Sequence, residues 1–141
     1  MSDIEAIQQL MNRYSDAATR RDWAQMRSVF AADGEWVVPE QGMTFRGPDE
    51  IVPPMAAFLE QFDYFVQMNS AAVIEVDGDR ATARSVVRES GKFAGAAIGI
   101  EVMGQYTDDL VRTAAGWKFA RRTFRGLGMH RYDLLAGPPL G

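Results

Sequence analysis

The stretch that most limits what this chain can fold into is residues 65–89, FVQMNSAAVIEVDGDRATARSVVRE, where Asp77-Gly78-Asp79 joins two apolar-rich runs. Asp-Gly between β-prone runs marks a tight hairpin, so residues 65–76 and 80–87 read as the central hairpin of a curved antiparallel sheet. Side chains two apart on a strand share a face. Gln67, Asn69, Ala71 and Val73 therefore point one way, and Ala81, Ala83, Ser85 and Val87 form a small-residue face that Glu89 continues in phase. Two amides beside small apolar side chains on a buried face describe a pocket wall with a few placed polar groups. The alternative is that Gln67 and Asn69 stand where the sheet emerges into water.

The 141 residues suit one domain, 1–141, with a core of its own. A net charge of −4 without a stripe of Lys and Arg argues against a nucleic-acid partner, since nothing would neutralise phosphates. The chain has no cysteine, which removes disulfides, thiolate ligands and a cysteine nucleophile. Its one histidine, His130, cannot by itself build a His-based zinc site. No metal and no cofactor are expected. The N-terminal MSDIEAIQQL reads as a charged helix and not as a signal peptide, and no apolar run reaches membrane-spanning length. A cytoplasmic protein without a membrane partner is the expectation.

Ser2 can cap a first helix whose stripe of Ile4, Ile7, Met11, Tyr14 and Ala18 recurs at helical spacing. Asp22 can cap a second helix over 23–31, closed by Gly34. A short strand over 35–39 and a partner over 43–46 come next. Gly47-Pro48-Asp49-Glu50 then starts a third helix that 51–62 completes, with Pro53-Pro54 near its start, where a missing N–H matters least. Beyond the hairpin, 90–97 reads as loose. Strands follow over 98–112 and 117–125, the latter with Trp117, Phe119 and Arg121 on one face and Lys118, Ala120 and Arg122 on the other. The Gly- and Pro-bearing residues 126–141 carry Met129, Tyr132, Leu134 and Leu135, enough apolar surface to fold over the domain. The order is α+β, with helices on the concave face of a sheet.

Tyr14, Arg21-Asp22-Trp23, Phe30 to Trp36, Phe45 to Ile51, Val76 to Ala81, Gly104 to Asp108 and Gly116-Trp117-Lys118 fall in an order that resembles the SnoaL-like branch of the nuclear transport factor two superfamily. The resemblance implies a cone-shaped α+β barrel of mostly antiparallel strands with three helices on its concave face. It further implies a deep apolar cavity, a tail over the cavity mouth and a homodimer formed through the sheet. It points to scytalone dehydratase, bile acid dehydratase and polyketide cyclases, which act on apolar, carbonyl-bearing or polycyclic molecules. In the dehydratases a tyrosine and an aspartate on the first helix and a histidine on the central strand move the protons. Tyr14 matches the tyrosine, whereas Thr19 stands at the aspartate position and Gln67 at the histidine position. Neither replacement accepts a proton near neutral pH.

Tyr14, Gln67 and Asn69 can stabilise an enolate by hydrogen bonding, and the base is then sought among Glu89, Glu40, Glu101 and His130. The catalytic set expected is Tyr14, Gln67, Asn69, Glu89 and His130. The substrate-binding set is Trp36, Phe58, Phe65, Met103 and Arg125. Arg84, Asp108 and Asp109 supply the residue types of the fold's epoxide hydrolases without a recognisable spacing. Two functions stay open: a cofactor-independent dehydratase, isomerase or cyclase, and a non-catalytic ligand-binding protein.

Overall fold

The structure, a computed structural model, describes residues 1–135. Its helices are α1 (Asp3–Arg20), α2 (Trp23–Ser28) and α3 (Pro48–Leu59). Its strands are β1 (Phe30–Val38), β2 (Met43–Arg46), β3 (Phe62–Asn69), β4 (Val73–Asp77), β5 (Arg80–Phe93), β6 (Ile98–Thr113) and β7 (Gly116–Asp133). They form one curved sheet in the order β2-β1-β7-β6-β5-β3, with β4 also on β5. Every pairing is antiparallel except β1 with β7, which is parallel. The expected α+β arrangement is present, but among the described residues β2 does not pair with β3, so the sheet is open and not a closed barrel.

Local chemistry sets most element ends. The Glu5 N–H donates to the Ser2 hydroxyl over 3.1 Å at the start of α1, where Asp3 and Glu5 also suit the helix dipole. Arg21 ends α1 in the left-handed conformation, φ 58°, and its guanidinium donates to the Phe62 carbonyl over 2.6 Å, tying the helix to β3. Ile7, Met11, Tyr14 and Ala18 are buried as the stripe requires, while Ile4 is exposed.

Several expected boundaries move, each through a long-range contact. The helix over 23–31 stops at Ser28, because the Phe119 N–H donates to the Val29 carbonyl (2.9 Å) and draws Phe30 into a parallel pair with β7. Gly34 is therefore not a helix end but part of β1 at a bulge, where a Cβ would lie 2.6 Å from the Phe119 carbonyl oxygen. Helix α3 begins at Pro48 as expected, but it ends at Leu59, Pro53 and Pro54 fall in its interior and not near its start, and Phe62 belongs to β3. Residues 65–76 are two strands and not one: the chain breaks at Ser70-Ala71-Ala72, and β3 and β4 pair with successive parts of β5. The break leaves Ala71 and Val73 exposed instead of beside Gln67. The turn itself lies where Asp-Gly places it, with Gly78 at φ 62°.

β5 runs on through residues 90–93, which the sequence reads as loose. β7 extends to Asp133, with Leu110 opposite Phe119 but Asp109 opposite Arg121, so Ala120 is an extra residue. That bulge reverses the expected phase: Arg121 turns outward and Arg122 goes into the core, fully buried. Of the tail expected to cover the domain, residues 126–133 continue β7, and residues 136–141 lie outside the described residues. Among the described residues no helix is long and apolar enough to cross a membrane.

Candidate functional site

A cavity of about 420 Å³ opens between the helices and the concave side of the sheet. Its walls are apolar: Trp23, Trp36, Phe45, Phe58, Phe65 and Phe124 are the aromatic ones. Polar atoms gather at one end, where α1 supplies Tyr14, β3 Gln67, β5 Glu89 and β6 Tyr106.

These groups form one directed network. The Gln67 Nε2 donates to Glu89 Oε2 (3.0 Å) and to the Tyr106 hydroxyl (3.3 Å). Its Oε1 lies 2.9 Å from the Ser15 hydroxyl, whose single proton serves both this oxygen and Asn69 Oδ1. The Tyr106 hydroxyl donates to the Tyr14 hydroxyl over 3.4 Å. Among the described residues no acceptor meets the Tyr14 proton, so it is available to a group in the cavity. The Gln67 backbone N–H donates to Thr19 Oγ1 over 3.0 Å, so the two positions that depart from the dehydratase pattern touch each other.

Burial raises the Glu89 pKa against the Gln67 hydrogen bond and the nearby Arg122 charge, both of which lower it. The part of Glu89 that is not covered faces the cavity. Burial also raises Tyr14, with Arg122 opposing, and lifts Tyr106 well above the ordinary phenol value. Behind the two tyrosines lies an ion pair with no exposed surface, Arg122 Nε to Asp108 Oδ1 at 3.2 Å. None of these guanidinium or carboxylate atoms makes a hydrogen bond among the described residues. The guanidinium carbon stands 3.6 Å from the Tyr106 ring centre, 4.1 Å from Tyr14 and 4.5 Å from Phe119. Burial pushes Asp108 up to about 6 although Arg122 pulls the other way.

Of the residues expected from the sequence, Tyr14, Gln67, Glu89, Trp36, Phe58 and Phe65 meet at the cavity. Asn69 stands one step back, its Oδ1 2.5 Å from the Ser15 hydroxyl. His130, Met103 and Arg125 do not reach it. Glu89 pairs with Val102 and Val102 with Met129 on the inner face, which puts Glu101, Met103 and His130 on the outer one. Glu101 there pairs with Arg88 and lies 3.9 Å from His130. Arg125 and Glu40 face each other at the exposed surface, 3.8 Å apart. Arg84 and Asp109 are exposed and form no set with Asp108. Tyr106, Arg122 and Ser15 were not singled out from the sequence, and Asp108 was considered only together with Arg84 and Asp109. Asp108 was findable from its alternation with Tyr106 and Leu110. Among the described residues no three metal-ligating side chains converge.

Three helices over an open curved sheet, enclosing an apolar cavity with a buried polar end, define a class of small-molecule-binding domain. The SnoaL-like domain family matches residues 1–123, and the chain belongs to that family. An uncharacterized protein of Mycobacterium tuberculosis is 32% identical over 127 residues, covering 86% of this chain and 84% of its own. A structure from Novosphingobium aromaticivorans, provisionally named a scytalone dehydratase, is 26% identical with a TM-score of 0.82, covering 97% of this chain and 92% of that one. A hexachlorocyclohexane dehydrochlorinase from Novosphingobium barchaimii shares the fold at 22% identity and a TM-score of 0.79, covering 95% and 94%.

Proposed function

We propose that the cavity carries out general acid–base chemistry on an apolar, carbonyl-bearing or polycyclic molecule, as a cofactor-independent lyase, isomerase or cyclase. Glu89 carries the reading: it is the one carboxylate lining a largely apolar cavity among the described residues, its pKa raised by burial. Such a group is a better base than a carboxylate in water and sits nearer a working pH. Gln67 holds Oε2, which leaves Oε1 to take a proton from the carbon beside a carbonyl. The electron pair moves to the carbonyl oxygen, where the Tyr14 proton meets the growing negative charge. Return of the proton to another carbon isomerises the substrate, whereas departure of a group from the next carbon completes an elimination. Two solved neighbours are named for eliminations, a dehydration and a dehydrochlorination, the second from hexachlorocyclohexane, which has no carbonyl.

The test follows α-deuterium incorporation into a panel of bicyclic ketones in D₂O by NMR, which detects proton removal without the natural substrate. The parent should exchange, and Glu89→Gln should be slower by about 10²-fold or more. Exchange that survives in Glu89→Gln at the parental rate would sink the assignment of the base. Thr19 and Gln67, which cannot accept a proton, support a second reading, a non-catalytic binding protein. An unaltered ligand recovered from the purified protein, with no exchange on any ketone, would favour it. A homodimer through the outer sheet face and a cytoplasmic location belong to the same proposal. Exposed Met68 and Met103 flank Arg88 in one row of that face.

A further inference from the structure

We propose that Arg122 is a positioning residue that sets the acidity of the Tyr14 hydroxyl from behind its ring. It acts through Tyr14 without touching the cavity, and the role of Tyr14 in catalysis rests on the reading given above. Arg122 is wholly buried, its guanidinium forms no hydrogen bond among the described residues, and it stacks on the rings of Tyr14, Tyr106 and Phe119. A guanidinium cannot lose its proton in a protein, so a permanent positive charge lies 4.1 Å from the Tyr14 ring centre. The Asp108 carboxylate, 3.2 Å from Nε, balances part of this charge, and the rest of its field falls on the ring faces. A phenolate gains more from that field than a phenol, so the cation strengthens Tyr14 as a donor where an oxyanion develops.

The other groups that act on Tyr14 are identifiable. Tyr106 and Asp108 come from β6 and Glu89 from β5. Tyr106 lowers the Tyr14 pKa through its hydrogen bond, and the Glu89 and Asp108 charges raise it. Asp108 is thus the counterweight to Arg122, and removing either charge should move Tyr14 in opposite directions. A merely structural role for the pair predicts no such opposition, since both substitutions would loosen the same packing.

The experiment places 3,5-difluorotyrosine at position 14, so that this ring ionises nearer neutrality than Tyr64, Tyr106 and Tyr132, and titrates its phenolate absorbance. Arg122→Met should weaken the acid about tenfold or more, the effect of losing an opposite charge at this range. Arg122→Lys should stay near the parent, and Asp108→Asn should strengthen the acid. A midpoint unmoved by Arg122→Met or by Asp108→Asn, or moved the same way by both, overturns the proposal. If Arg122→Met does not fold, the direction of the Asp108→Asn shift decides alone. The titration needs no turnover, so a protein that fails the ketone exchange but shows opposed shifts loses its catalytic reading and keeps this one.

Discussion

Replacing Asp108 with asparagine asks which of two opposed effects governs the buried ion pair. The attraction to Arg122 at 3.2 Å is about 5 kcal/mol at an effective dielectric constant of about 20. Against it stands the removal of the carboxylate from water, several kcal/mol for a buried ion even after relaxation. Neither carboxylate oxygen receives a hydrogen bond among the described residues, so nothing but the ion pair offsets that penalty. Burial wins, and the folded-state pKa rises from 3.8 to about 6. The sign of the linkage follows: between those values the folded protein binds more protons than the unfolded chain, so stability falls as pH rises through that window. At about 1.4 kcal/mol per pKa unit the loss is about 3 kcal/mol. Asp108→Asn cannot lose it. Urea unfolding followed by tryptophan fluorescence at pH 4 and pH 8 should show the variant gaining about 2 kcal/mol on the parent between the two, since pH 4 already lies above the unfolded value of 3.8. Any fixed cost of the substitution cancels in that difference. Parallel pH curves would mean that Arg122 cancels burial, and a variant that loses ground as pH rises that Arg122 outweighs it; either result overturns the prediction.

Two other predictions concern the ends of the chain and its outer surface. Asp3 accepts from both Arg112 Nη atoms at 2.9 Å and from Trp117 Nε1 at 3.2 Å, and the arginine bonds hold its pKa below the ordinary value. Its contribution is present above the unfolded pKa and is lost as pH falls through the folded one. Asp3→Asn should therefore lower the melting temperature at pH 7 and converge with the parent in acid, as calorimetry at the two pH values would show. For the outer face, Met103→Glu should shift sedimentation towards the monomer, because it sets a charge amid the exposed Met68 and Val86. An unchanged sedimentation profile would remove this face as the dimer contact.

Local chemistry was enough for much of the fold. Ser2 before Asp3 and Glu5, Asp22 before α2, Gly47-Pro48 before α3 and Asp77-Gly78 between two β-prone runs each act within a few residues, so the sequence alone locates those ends. Tyr14 on the inner stripe of α1 and Glu89 in phase with Ala81 and Ala83 were legible for the same reason. The tertiary structure decided whatever depended on a distant partner. Val29 cannot continue a helix once Phe119 claims its carbonyl. Arg122 enters the core only because Ala120 is an extra residue between the pairs Leu110–Phe119 and Asp109–Arg121. His130 and Glu101 miss the cavity because pairing puts Met129 and Val102 inside. Strand side chains alternate with a period of two, so one inserted residue exchanges the buried and exposed sets. No pattern within either strand records where its neighbour forces that insertion.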